Sequence, residues 1–154
     1  MAITQYGKQV TLESLSGTFD GADLSVSDSY EGLVVKLKVP NMNWEDGQPK
    51  YEKTGASTDV FAGVILNVAG SNVSSTSTPP LDPHGTFPGG RVVRVGTRGL
   101  FLMKCSRAVT ASDAGSQLTP DANGEVTPAT SGTNLFGRIV AANPNPNNLL
   151  LVQI

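Results

Sequence analysis

The chain has 154 residues, 38% hydrophobic and 16% charged, with 17 Gly, 10 Pro, one Cys, one His and a formal net charge of -2. This length fits one domain able to bury roughly 70% of its unfolded surface, so a core can form without metals or disulfides. Low charge and abundant Gly and Pro disfavour long helices. The slightly acidic balance argues against general nucleic-acid or membrane binding.

Residues 1–31 carry Glu13, Asp20, Asp23, Asp28 and Glu31 against a single Lys8. No helical period is visible, only short strand-like pieces such as Val10-Thr11-Leu12, so an extended arm or edge segment is expected. The N-terminus shows no basic region followed by an apolar run, and no signal peptide is expected.

Gly32–Val39 alternates cleanly. Leu33, Val35, Leu37 and Val39 share one face, and Lys36 and Lys38 the other. That is the period of a half-buried strand, and Pro40 ends it. Residues 40–59 read as a polar loop holding Trp44 and Tyr51. Val60–Ala69 is apolar on both faces, as in a strand buried on both sides. Residues 70–90 form a second long loop.

Residues 91–107 give the longest strand signal. Val93, Val95, Phe101, Met103 and Cys105 share one parity, and Arg94, Arg98, Leu100, Leu102 and Lys104 the other. Gly96 and Gly99 interrupt it, so the segment makes two strands or one strand bent at a bulge. Leu118–Pro120 and Glu125–Thr127 flank Asp121-Ala-Asn-Gly124, a hairpin with an Asn-Gly turn. Leu135–Ala142 and Leu149–Ile154 complete the set, with the C-terminus packed into the sheet. Phe61-Ala-Gly-Val-Ile-Leu and Leu135-Phe-Gly-Arg-Ile-Val each put a glycine inside an apolar strand, a mark of close backbone approach. The elements together point to an all-β fold, a compact antiparallel barrel or sandwich spanning residues 32–154, with long loops at 40–59 and 70–90.

No catalytic constellation stands out. His84 lies in a Pro/Gly loop without a nucleophile elbow, and Cys105 sits on the apolar parity of its strand. One His and one Cys exclude zinc sites of Cys/His spacing. Asp121-Ala-Asn-Gly-Glu125 faintly resembles part of a calcium loop, but the hairpin turn explains the same residues. No catalytic residue, cofactor or metal site is therefore expected.

The distinctive features concern surfaces. Residues 91–107 hold five bases and no acid, whereas residues 1–31 hold five acids and one base. These are either solvated strand faces or opposed patches that meet across subunits or on a partner. Trp44, Tyr51, Arg94, Arg98, Leu100 and Leu102 are the candidate protein-contact residues. Leu100 and Leu102 are expected as apolar groups on an exposed polar face. Trp44 and Tyr51 either anchor a contact or fold back onto their own domain.

The run from Phe61-Ala-Gly-Val-Ile-Leu through Arg91-Val-Val-Arg-Val-Gly-Thr-Arg-Gly-Leu-Phe, Thr110-Ala-Ser-Asp-Ala-Gly115, Phe136-Gly-Arg-Ile-Val and Leu149–Ile154 resembles the head decoration, or cement, proteins of tailed bacteriophages. The resemblance covers about residues 60–154, and the turn at 110–115 departs slightly from the family pattern. It implies a β-barrel or β-tulip-like subunit on the capsid exterior, made in the host cytoplasm. Such a subunit clamps major capsid protein subunits as a homo-oligomer, trimer favoured and dimer possible. It implies no cofactor and no catalytic residue, and the charge balance leads to the expectation of no nucleic-acid partner and no membrane partner. A tail or baseplate module, or a carbohydrate- or receptor-binding β domain using Trp44 and Tyr51, is the alternative.

Overall fold

The computed structural model describes residues 9–19, 31–38, 49–68, 91–132, 134–142 and 148–154. Nine strands form among the described residues: β1 (Val10–Phe19), β2 (Val34–Leu37), β3 (Lys50–Lys53), β4 (Gly63–Val68), β5 (Arg91–Lys104), β6 (Gln117–Pro120), β7 (Val126–Ala129), β8 (Arg138–Ala141) and β9 (Leu149–Gln153). Three-residue 3-10 turns at Ala111–Asp113 and Ala122–Gly124 are the helical pieces among the described residues. The fold is all-β.

Seven strands form one sheet in the order β1-β3-β2-β4-β5-β9-β8, and β1 also pairs with β5. The β1–β3 link is parallel and short, Thr18 with Lys50 and Phe19 with Tyr51. The β1–β5 ladder is antiparallel and long, from Val10 opposite Leu100 to Phe19 opposite Arg91. The sheet therefore curls back on itself at β1, while β9 and β8 run on beyond β5. Of the two expected forms, barrel or sandwich, it does not close into a single barrel, and the compact, sandwich-like form fits. The β6–β7 hairpin is a separate two-stranded sheet, joined to the rest by bridges from Leu118 to Phe136 and from Val126 to Cys105.

Two cores result. The first gathers Phe19, Leu33, Val35, Tyr51, Ile65, Val93 and Val95. The second gathers, among others, Val34, Val64, Phe101, Met103, Leu118, Val126, Ile139, Leu150 and Val152. The β2–β4 ladder lies between them, so Val34 and Val64 serve one core and Val35 and Ile65 the other. This explains the two-sided apolar run at 60–69. It also corrects the half-buried reading of β2, whose Val34 is as deeply buried as Val35. Each fully buried apolar residue of this size contributes about 1.5–3 kcal/mol, so the two cores dominate the stabilisation.

Strand β5 is shared. Its odd-numbered residues supply Val93 and Val95 to the first core and Phe101 and Met103 to the second. The change occurs across the glycine-bearing stretch, where the β1–β5 register shifts twice. Leu12 is extra on β1, and Thr97 is extra on β5. Gly99 sits there with φ of +140°, and a Cβ would lie 2.0 Å from the Val10 carbonyl oxygen. Residues 91–104 are thus one strand with a bulge. The glycine in the apolar strand β4 marks a close approach as well, since a Cβ on Gly63 would lie 2.2 Å from Val95 Cγ1.

Two expectations change at the N-terminal side. Residues 10–19 of the supposed arm are a sheet strand. The supposed loop 40–59 contains β3, which polar Lys50, Glu52 and Lys53 hide from a hydrophobicity pattern. The loop 70–90 lies outside the described residues. The C-terminus is held as expected: the Ile154 N–H donates to Gly99 O at 2.9 Å, and Gly99 N–H returns a bond of 3.0 Å.

Candidate functional site: an apolar groove at the mouth of the first core

A groove of about 820 Å³ lies between β1, β2, β3 and residues 58–62. Its apolar side is Leu15, Leu37, Pro49, Tyr51, Val60 and Ala62, and its polar side is Lys36, Glu52 and Asp59. The geometry follows from strand parity. Leu15 stands opposite Val95, and Leu37 opposite Tyr51. Their side chains therefore share the inward face of the first core, but at its end, where fewer residues cover them. Leu15 is 49% exposed, Leu37 48% and Val60 68%. Large apolar groups that gather on one face and meet water mark a contact surface.

In the polar wall one cation is shared by two carboxylates. Lys36 Nζ donates to Asp59 Oδ1 at 2.8 Å and lies 3.7 Å from Glu52 Oε1. Asp59 Oδ2 accepts the Gly55 and Ala56 N–H groups at 2.7 and 3.1 Å. Burial pushes the Asp59 carboxyl up, but the Gly55 and Ala56 amides and the Lys36 ammonium outweigh it and hold the group below its ordinary value. The bond to Asp59 raises Lys36 in turn, against burial. Asn134 Nδ2 donates to Thr58 O at 2.8 Å, and the Phe61 and Phe136 rings stack at 4.0 Å. The groove wall at 58–62 is thus tied to the segment that precedes β8.

Of the residues singled out from the sequence, Tyr51 lines this groove. It is a core residue of β3, 2% exposed, and burial raises its phenol above the ordinary value. Of its two expected roles it takes the second, folded back onto its own domain, because strand parity turns its ring inward. Trp44 lies outside the described residues, as does His84. Arg94 and Arg98 are exposed on the outer face of β5, away from the groove. They face the acidic segment of their own molecule: Arg98 stands opposite Glu13, and Arg94 Nε donates to Ser14 Oγ at 3.1 Å. One acid of the N-terminal segment, Glu13, thus stands opposite one of these bases within the same molecule, and its carboxylate accepts the Thr97 hydroxyl at 2.7 Å. Leu100 is half-buried beside Val10 and Gln153. Leu102 is not exposed. It is 2% accessible and packs with Leu149 and Leu151, because β9 lays those leucines on the same face.

Other polar clusters have structural roles. Arg107 grips Asp113 with two bonds, 2.7 and 3.0 Å, and Asp113 also accepts Thr110 N–H at 3.0 Å. Asp121 Oδ2 accepts the Thr127 and Ser106 hydroxyls, each at 2.7 Å, and its Oδ1 accepts Ala122 N–H. Those bonds lower its pKa and occupy the carboxylate that the calcium reading requires. Cys105 is buried, and burial pushes its thiol up. Among the described residues no group of three or more His, Cys, Asp or Glu residues converges as a metal site. No protein-family model matches the sequence, and no curated protein matches it significantly.

Proposed function

We propose that this is a structural virion protein that binds the outside of a phage capsid and bridges major capsid protein subunits, acting as a homo-oligomer with the trimer favoured. The observation that carries the reading is the groove rimmed by Leu15, Leu37 and Val60. Covering those residues releases water from apolar surface, which favours association with a protein segment. The decoration-protein pattern over residues 60–154 supplies the kind of partner, and those residues include β4 through β9. A single interface of ordinary size, about 1,600 Å² in total, gives moderate affinity. A symmetric oligomer that touches several capsid subunits gains avidity from the linked contacts.

The test is co-sedimentation with undecorated capsids. The wild-type protein should pellet with the particles. Val60→Asp should stay largely in the supernatant while keeping its fold. Val140→Asp, at a comparably exposed valine on β8, should pellet like wild type. Wild-type protein that remains in the supernatant would sink the capsid reading. Equal occupancy by Val60→Asp would remove the groove from it.

A further inference from the structure

The hairpin turn holds the one Asn-Gly pair of the sequence, Asn123-Gly124. This dipeptide is chemically special because glycine leaves the following backbone nitrogen unhindered. That nitrogen can attack the asparagine amide carbon. In the fold the two residues sit in different surroundings. Asn123 is exposed, with φ 58° and ψ 24°. Gly124 is buried, and its N–H donates to Thr54 O at 2.8 Å. A Cβ on Gly124 would lie 3.2 Å from both Leu33 Cβ and Val34 O, so this nitrogen is seated against β2 and β3.

We propose that Asn123 is a latent deamidation site, silent while the β6–β7 hairpin is docked and reactive once Gly124 N–H leaves the Thr54 carbonyl. In the opened state a base takes the Gly124 amide proton, and the nitrogen attacks Asn123 Cγ. The new bond between Gly124 N and Asn123 Cγ closes a succinimide as the bond from Cγ to Nδ2 breaks and ammonia leaves. Water then opens either carbonyl, giving aspartate or isoaspartate at position 123. The step needs water and hydroxide alone, and no oxidant or reductant. The isoaspartyl product carries an extra methylene in the backbone. It cannot restore both the Asp121–Glu125 turn bond and the Gly124–Thr54 bond in the native register. The modification therefore records, irreversibly, that the hairpin has parted from β3.

The experiment holds folded and urea-unfolded protein side by side in mildly alkaline buffer. Peptide mass spectrometry counts aspartate and isoaspartate at position 123. Amide exchange at Gly124 is followed by NMR on the folded protein. The folded rate should be at least ~30-fold below the unfolded rate, with the Gly124 amide protected to a similar degree, as expected for a site exposed only by local opening. In the unfolded protein, Asn123 should react far faster than Asn134, which precedes a leucine. A folded rate within about threefold of the unfolded one, or a Gly124 amide that exchanges freely, would overturn the proposal. So would an Asn123 no faster than Asn134 after unfolding.

Discussion

Asp113→Asn tests whether the turn at 110–115 is held by charge or by shape. The native carboxylate takes two N–H bonds from Arg107, 2.7 and 3.0 Å, and Thr110 N–H at 3.0 Å, with its side chain 9% exposed. Asparagine keeps the shape and can still accept from Thr110. It presents an NH2 where Arg107 needs an acceptor, so at least one charge-assisted bond is lost. Such bonds contribute about 1.5–3 kcal/mol each. The Arg107 guanidinium arm is 44% exposed, and solvent screens the pair, which favours the lower part of that range. A loss of about 2 kcal/mol follows, or a fall in Tm of roughly 4–8 °C for a protein of this length.

The pH dependence supplies the sign. The bond from Arg107 lowers the Asp113 pKa, against the opposing effect of burial. A carboxyl depressed in the folded state stabilises above its unfolded pKa of about 3.9, and the contribution is lost as pH falls through the folded value. Urea unfolding followed by circular dichroism should show wild type ahead by about 2 kcal/mol near neutrality, and the gap should shrink below about pH 4. A gap under about 0.5 kcal/mol at neutral pH, or one unchanged into strong acid, would refute the charge argument.

Gly99→Ala should destabilise by at least ~2 kcal/mol, because a Cβ meets the Val10 carbonyl and the φ of +140° is strained for alanine. An unchanged urea midpoint would show that β1 is not seated there. Arg98→Glu sets two acids opposite each other on the β1–β5 ladder and should cost up to ~1 kcal/mol, which the swap Glu13→Arg with Arg98→Glu restores. Additive losses in the double variant would count against intramolecular pairing of these charges.

What the residues revealed in advance divides along a physical line. β4 and β9 were legible because their burial is written in consecutive residues, and β2 because of its alternation, which hid the burial of Val34. The hairpin was legible because Asn-Gly turns have few alternatives. β3 was not, because three of its four residues are charged and its place depends on β1 and β2. β1 read as an arm because it is polar and opens no apolar period around its one acid, Glu13, yet Gly17 and Phe19 face a core. Leu102 looked exposed by parity, since nothing local announces Leu149 and Leu151. The groove was invisible for the same reason. Leu15, Leu37 and Val60 come from three separate segments, and each alone is an ordinary apolar residue.

The groove and the hairpin seat share one support. Tyr51 faces the groove from β3, and three residues later Thr54 O holds Gly124. Leu37 pairs with Tyr51, while Thr54 N–H donates to Val34 O at 3.2 Å. The β2–β3 ladder therefore carries the groove at one end and the hairpin at the other. Among the paths from the groove walls to the second core are this ladder and the one through β1 and β5. The first route crosses few backbone bonds between short strands. The second crosses the longest ladder in the fold. Local opening begins where the fewest bonds must break together, so the hairpin seat at Gly124 yields before the β1–β5 ladder does.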